Sequence, residues 1–194
     1  MNIEARQNGS GCGVPELTSF RVRPDQAAVM LVARSSAGPI TFGTVGIEGS
    51  IEAELTDGNI STESEPRARL EVPVGQFTSG NQFYDSELLR RIDARRFPSA
   101  MVNLNRAVAV GKTGSYHVAG DLTFHGVTQP LEGTVQISFP TPQIMLVEGR
   151  QVLDMRHFGI TPPGVAMLKI YPDVRVELHL EATLEATLEA GAGA

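Results

Sequence analysis

The chain has no tryptophan and a single cysteine, Cys12. One cysteine cannot close an internal disulfide, so the fold rests on packing rather than covalent staples. No apolar stretch is long enough to span a bilayer, which excludes an integral membrane segment of helical type. Positive charge is not in excess: the net charge is −6, and nucleic-acid binders are normally basic, so no nucleic-acid partner is expected. Enzyme signatures are missing as well. There is no Gly-x-Ser-x-Gly elbow and no Gly-x-x-x-x-Gly-Lys phosphate loop. Cys12 sits in a polar, aperiodic arm, a poor place for a nucleophile that needs a fixed partner. No apolar run precedes Cys12, so a secretory leader is not expected and the reading is cytoplasmic.

What is present is turn chemistry and alternation. Twenty Gly and 12 Pro punctuate many short runs of period two, the mark of a β-rich fold. The clearest stretch is 116–139. Tyr116, Val118, Leu122 and Phe124 share one face with Gly120 between them, and Leu131, Val135, Ile137 and Phe139 share another with Gly133. Two half-buried strands follow, joined through His125-Gly126-Val127-Thr128-Gln129-Pro130 as an antiparallel hairpin.

Along the rest of the chain, 1–18 lacks periodicity and reads as a flexible arm. The apolar run Ala27-Ala28-Val29-Met30-Leu31-Val32-Ala33 fits a strand buried on both faces, with a helix left open by periodicity alone. Gly43, Gly46 and Gly49 within 41–55 predict a bend, as at a barrel corner. Between Gly75 and Phe97 the period changes. Asp85 is placed as a helix cap, and Leu88, Leu89 and Ile92 fall at helical spacing, predicting one short amphipathic helix as a flap over the sheet. Arg90, Arg91, Arg95 and Arg96 lie mostly off that stripe. They suit an anionic headgroup or, as the commoner case, a solvated face. Val102, Leu104, Val108 and Val110 predict one strand face, interrupted by Arg106. Val174, Val176, Leu178 and Leu180 predict the last strand. After it, Leu180, Leu184 and Leu188 repeat every four residues, and 183–194 reads as a flexible tail.

About eight strands so punctuated fit an all-β up-and-down antiparallel barrel or a sandwich. Closure removes exposed edges, and a barrel of this size can enclose one small ligand.

A resemblance narrows the choice. Gly120-Asp121-Leu122-Thr123-Phe124-His125-Gly126-Val127-Thr128-Gln129-Pro130 resembles the signature Gly-Asp-Leu-Thr-(apolar)-His-Gly-Val-Thr-x-Pro of the YceI-like family, lipocalin-like proteins that bind polyisoprenoid lipids. Thr44-Val45-Gly46-Ile47, the helical segment ending at Phe97-Pro98, His157-Phe158-Gly159-Ile160 and the strand after Val174 are similar to further family elements. The family's His-Ser pair and Gly-x-Phe step are replaced here by Gln26-Ala27-Ala28 and Val45-Gly46-Ile47. The resemblance implies a lipocalin-like barrel over 19–182. It also implies non-enzymatic binding, storage or transport of an isoprenoid quinone, polyprenyl lipid or similar hydrophobic molecule, with no resident cofactor. A homodimer is compatible with it.

Phe42, Val45, Ile47, Leu70, Phe77, Leu104, Leu122, Phe124, Phe158 and Met167 are the candidate interior lining. The plain alternative is that they only fill a core, which would make the domain a structural or protein-interaction module. A metal site is not expected. His117 and His125 are about 26 Å apart at strand rise, and His157 and His179 lack ligand-spaced partners. Catalytic residues are not expected either. A hydrolase or isomerase would need Asp154, His157 and His125 to converge in a pocket.

Overall fold

The computed structural model describes residues 16–187, except 57, 62, 63, 163, 166 and 167. Eleven strands form one antiparallel system. They are β1 Glu16–Ser35, β2 Gly38–Val45, β3 Glu48–Thr56, β4 Asn59–Ile60, β5 Arg67–Pro73, β6 Ser99–Ala109, β7 Ser115–Phe124, β8 Val127–Thr141, β9 Ile144–Asp154, β10 Gly164–Val165 and β11 Leu168–Thr187. Hydrogen bonding runs β11-β9-β8-β7-β6-β5-β3-β1, and β1 pairs back to β11, closing an eight-stranded barrel. β2 continues the β1 edge where β3 leaves it: Ala28 to Ser35 pair with β2, Glu16 to Arg21 with β3. The polypeptide bends between β2 and β3 at Gly46, where the glycine cluster predicts it.

α1, Gln82–Arg91, is the single α-helix among the described residues. Its cap is Asn81, whose side chain accepts from the amides of Phe83 and Tyr84. Asp85 does not cap. Its carboxylate accepts from the Ser79 amide at 2.7 Å and from the hydroxyls of Ser79 and Thr78 at 2.6 and 2.8 Å, so it ties the preceding loop to the first turn. Leu88 and Leu89 pack against the core, and Ile92 is buried.

The central hairpin forms as expected, with a shorter joint. Only His125 and Gly126 lie outside the strands, at φ 52° and 76°, and Phe124 pairs directly with Val127. Two consecutive left-handed residues define the turn whose twist matches paired strands, and Gly126 takes the second place without strain. Its missing Cβ also matters, because one would lie 2.8 Å from the Phe97 ring.

Four expectations change. Met30 is 39% exposed, so the apolar run of β1 is not buried on both faces. In β6 a bulge falls between the Leu104↔Gly120 and Arg106↔Ala119 pairs. The extra residue shifts the alternation, so Ala107 turns inward and Val108 and Val110 face out. β1 includes residues 16–18, and β11 includes 183–187, stretches assigned in sequence to flexible ends. β11 continues because the β1 edge supplies partners as far as Thr18↔Thr187, and the four-residue repeat then reads as alternation, with Leu180 and Ala182 inward. Val45 is 59% exposed: β2 sends Phe42 and Thr44 inward, which puts Thr41, Gly43 and Val45 outside.

One end of the barrel is solid. Phe20, Val22, Met145, Leu180 and Ala182 have at most 2% exposure. Phe20 packs on Phe139 with ring centroids 5.9 Å apart. Tyr116 is buried there and its hydroxyl accepts from the Ile60 amide at 3.2 Å.

Candidate functional site

Beyond that floor the barrel is hollow. A first chamber of about 150 Å3 lies under α1, and a deeper one of about 200 Å3 fills the middle of the barrel. Leu31, Phe77, Phe124, Leu153 and Val176 border both, so the two are segments of one channel. An apolar cavity of this size stays dry and accepts an apolar guest.

Strand alternation sets the walls. Phe42 of β2 and Phe158 face the first chamber, Leu70, Leu104 and Leu122 face the second, and Phe77 and Phe124 stand between them. The rings of Phe124 and Phe158 meet at 5.7 Å. Ile47 is fully buried but borders neither chamber, because it packs at the β2–β3 bend. Val45 is on the outside, as the phase of β2 requires. Met167 lies outside the described residues. Leu31, Leu153 and Val176 line the channel as well, and Leu31 and Val176 stand in stretches that the sequence predicts as strands. The usable signal was their shared inward phase.

α1 covers the outer chamber with Tyr84, Leu88 and Ile92, and its rim carries Glu87 and Arg91. Arg91 Nε donates to Glu87 at 2.7 Å, and Arg90 binds the same carboxylate at 2.8 Å. Hydrogen bonds from Arg90, then Arg91, hold the Glu87 carboxyl below its ordinary range. The arginines do not converge. Arg91 alone among the four borders the chamber, and Arg96 lies over the Phe97 ring at 5.2 Å.

Below the open end, Met155–Phe158 forms a 3-10 turn that carries Phe158 inward. Asp154 caps it by accepting from the Arg156 amide at 2.9 Å. The Arg156 guanidinium binds the same carboxylate and is the main cause of an Asp154 pKa lowered to about 2. His125 Nδ1 meets the Phe158 carbonyl at 2.9 Å and its ring abuts Phe97. Its partner is the backbone of a segment remote in sequence. Asp154 thus serves the Arg156 amide and guanidinium, and His125 the Phe158 carbonyl. Among the described residues no three His, Cys, Asp or Glu cluster as metal ligands, and no helix is long and apolar enough to cross a membrane.

A closed antiparallel barrel with one helical cover and an apolar channel is a hollow barrel of lipocalin-like type. Its similarity to known proteins is more specific. The YceI-like domain family matches residues 20–182, and the chain belongs to that family. BcnA of Burkholderia cenocepacia shares the fold with TM-score 0.70 at 17% identity, covering 84% of this chain and 99% of that one. A polyisoprenoid binding domain from Saccharophagus degradans does so with TM-score 0.69 at 12% identity, covering 87% and 99%. The Campylobacter jejuni YCEI protein aligns with TM-score 0.58 at 11% identity, covering 72% and 81%. No curated protein matches the chain in sequence.

Proposed function

We propose that this protein binds a long apolar amphiphile, an isoprenoid lipid or quinone, inside the barrel, and stores or transports it without chemical change. The observation that carries this reading is the channel itself: two apolar chambers that meet at Phe77 and Phe124, behind a helical cover. Each 100 Å2 of prenyl surface removed from water contributes about 2.5 kcal/mol before ordering costs. A chain of isoprene units fits a narrow channel better than a globular ligand does. The likeness in fold to a domain described as polyisoprenoid binding supports the ligand class.

The test is direct. Purified protein is extracted with organic solvent and the extract is analysed by mass spectrometry. A stoichiometric prenyl lipid or quinone is the expected result. A clean extract, together with no thermal shift on adding prenyl quinones, would overturn the carrier reading in favour of a protein-interaction module.

A further inference from the structure

The two edges of β8 are not alike. Toward β7 the ladder is continuous from Ser115↔Gln136 to Phe124↔Val127. Toward β9 it ends at Thr134↔Arg150, although β8 begins at Val127 and β9 continues to Asp154. Past that point β9 stays with β11, as far as Asp173↔Asp154, and parts from β8. Side chains bridge the parting where backbone does not. Gln151 Nε2 donates to the Glu132 carbonyl at 2.6 Å, and Gln129 Nε2 to the His157 carbonyl at 3.0 Å.

The deeper chamber reaches into this parting. From β1, β5, β6, β7 and β11 it touches only alternate, inward-facing residues. From β8 it touches the consecutive residues 131–135, and from β9 Gly149, Arg150 and Gln151 in succession. Glu132, Thr134 and Arg150 are exposed on the outer face. At the parting the chamber therefore runs along consecutive residues of both strands, meeting only their apolar atoms.

We propose that the β8–β9 parting is a side port of the channel that holds an uncharged polar head, a hydroxyl or a carbonyl, with Gln151 as the residue that reads it. The proposal rests on the barrel carrying an amphiphile. Gln151 occupies an inward position of β9, in phase with the buried Met145 and Val147 and with Leu153 of the channel wall. Its side chain lies across Gly133, where a Cβ would stand 3.9 Å from its Cδ. One amide hydrogen is committed to Glu132; the carbonyl oxygen and the second hydrogen can serve an acceptor or a donor on the ligand. Among the described residues, the one cation at the port already has a partner. Arg150 pairs with Glu177 at 3.0 Å, and Glu132 lies 3.8 Å from His117. A phosphate would have to take Arg150 from its partner beside a carboxylate, whereas a hydroxyl or carbonyl needs only the amide.

The experiment compares binding of phytanol, of its head-free hydrocarbon analogue phytane and of phytanyl diphosphate to the wild type, Gln151→Leu and Arg34→Leu. Gln151→Leu is expected to weaken the alcohol about tenfold, the worth of one hydrogen bond, and to leave phytane unchanged. Arg34→Leu, on the outer surface where Arg34 pairs with Asp173, is expected to leave both unchanged. Independently, Val152→Cys in a Cys12→Ser background, carrying an environment-sensitive fluorophore, reports on the port from outside, since Val152 is 59% exposed. Its emission is expected to shift with the alcohol and not with phytane. Unchanged alcohol binding in Gln151→Leu, the same loss found in Arg34→Leu, a preference for the diphosphate, or a silent fluorophore would each overturn the port while leaving the carrier intact. A wild type that binds no prenyl compound would overturn both.

Discussion

The floor and the channel of this barrel are built by the same strands, and comparing them shows what makes a barrel hollow. β11 sends Leu180 and Ala182 into the floor and Val176 and Leu178 into the channel wall, in one unbroken alternation. The floor residues are sealed by neighbours from the facing strands. In the channel, inward positions of β8 and β9 include Gly133 and Gly149, which put no side chain into the space. Hollowness here is a local loss of side-chain volume within an ordinary strand pattern, not a different topology. Stability should then reside in the floor, where close packing gives each side chain partners all round.

The largest effect follows from that division. Leu180→Ala removes a fully buried side chain from the floor and is expected to cost about 3 kcal/mol, including the cavity left behind. Leu104→Ala borders a chamber that already exists, so fewer contacts are lost, and about half that cost is expected. Denaturant unfolding of both variants measures the contrast, and equal costs would mean that the channel is packed as tightly as the floor. The opposite substitution sharpens the comparison. Gly133→Val projects into the channel, where the space in front of it is occupied only by the end of Gln151. Its stability is expected to stay within about 1 kcal/mol of wild type, because no closely packed neighbour must move. Prenyl binding is expected to fall tenfold or more. A Gly133→Val protein that unfolds readily, or one that binds as before, would contradict an open channel at this point.

Much of the scaffold was legible in the sequence because alternation states directly which residues face inward. Tyr116, Val118, Leu122 and Ile137 are buried as their phase requires, and Leu88 and Ile92 pack as helical spacing requires. Phase failed where the backbone gains a residue or bends. The bulge in β6 reverses Val108 and Val110, and at the β2–β3 bend Val45 falls on the outer face while Ile47 falls inward. Alternation also cannot say whether an inward row is filled. Gly120 and Gly133 were visible in their apolar rows, yet they have opposite meanings. A Cβ at Gly120 would collide with the Asn103 carbonyl oxygen, while one at Gly133 would stand free of the backbone. Gln151 was overlooked for a related reason: a polar residue at an inward position looks like a fault in the pattern until the parted ladder beside it is seen.

The smallest effect concerns how the two regions are held. Apolar packing secures the inside of the floor, with the Arg21–Glu185 and Arg23–Glu181 pairs on its outer face. The open end depends on carboxylates: Asp85 fastens the loop before α1, and Asp154 fixes the turn that carries Phe158. Both pKa values are lowered from 3.8, that of Asp85 first by the Ser79 hydroxyl and that of Asp154, to about 2, first by Arg156. A carboxyl with a folded-state pKa below its unfolded one stabilises the fold fully above the unfolded value, and loses that contribution as the pH falls through the folded one. Acid between pH 3.8 and about 2 should therefore loosen the open end while the floor persists. Hydrogen exchange would show amides of 78–85 and 154–158 losing protection first, with those around Leu180 retained. Asp154→Asn would remove the pH dependence in the second segment only. Simultaneous loss of protection in both regions would mean that floor and channel unfold as one cooperative unit, whatever their difference in packing.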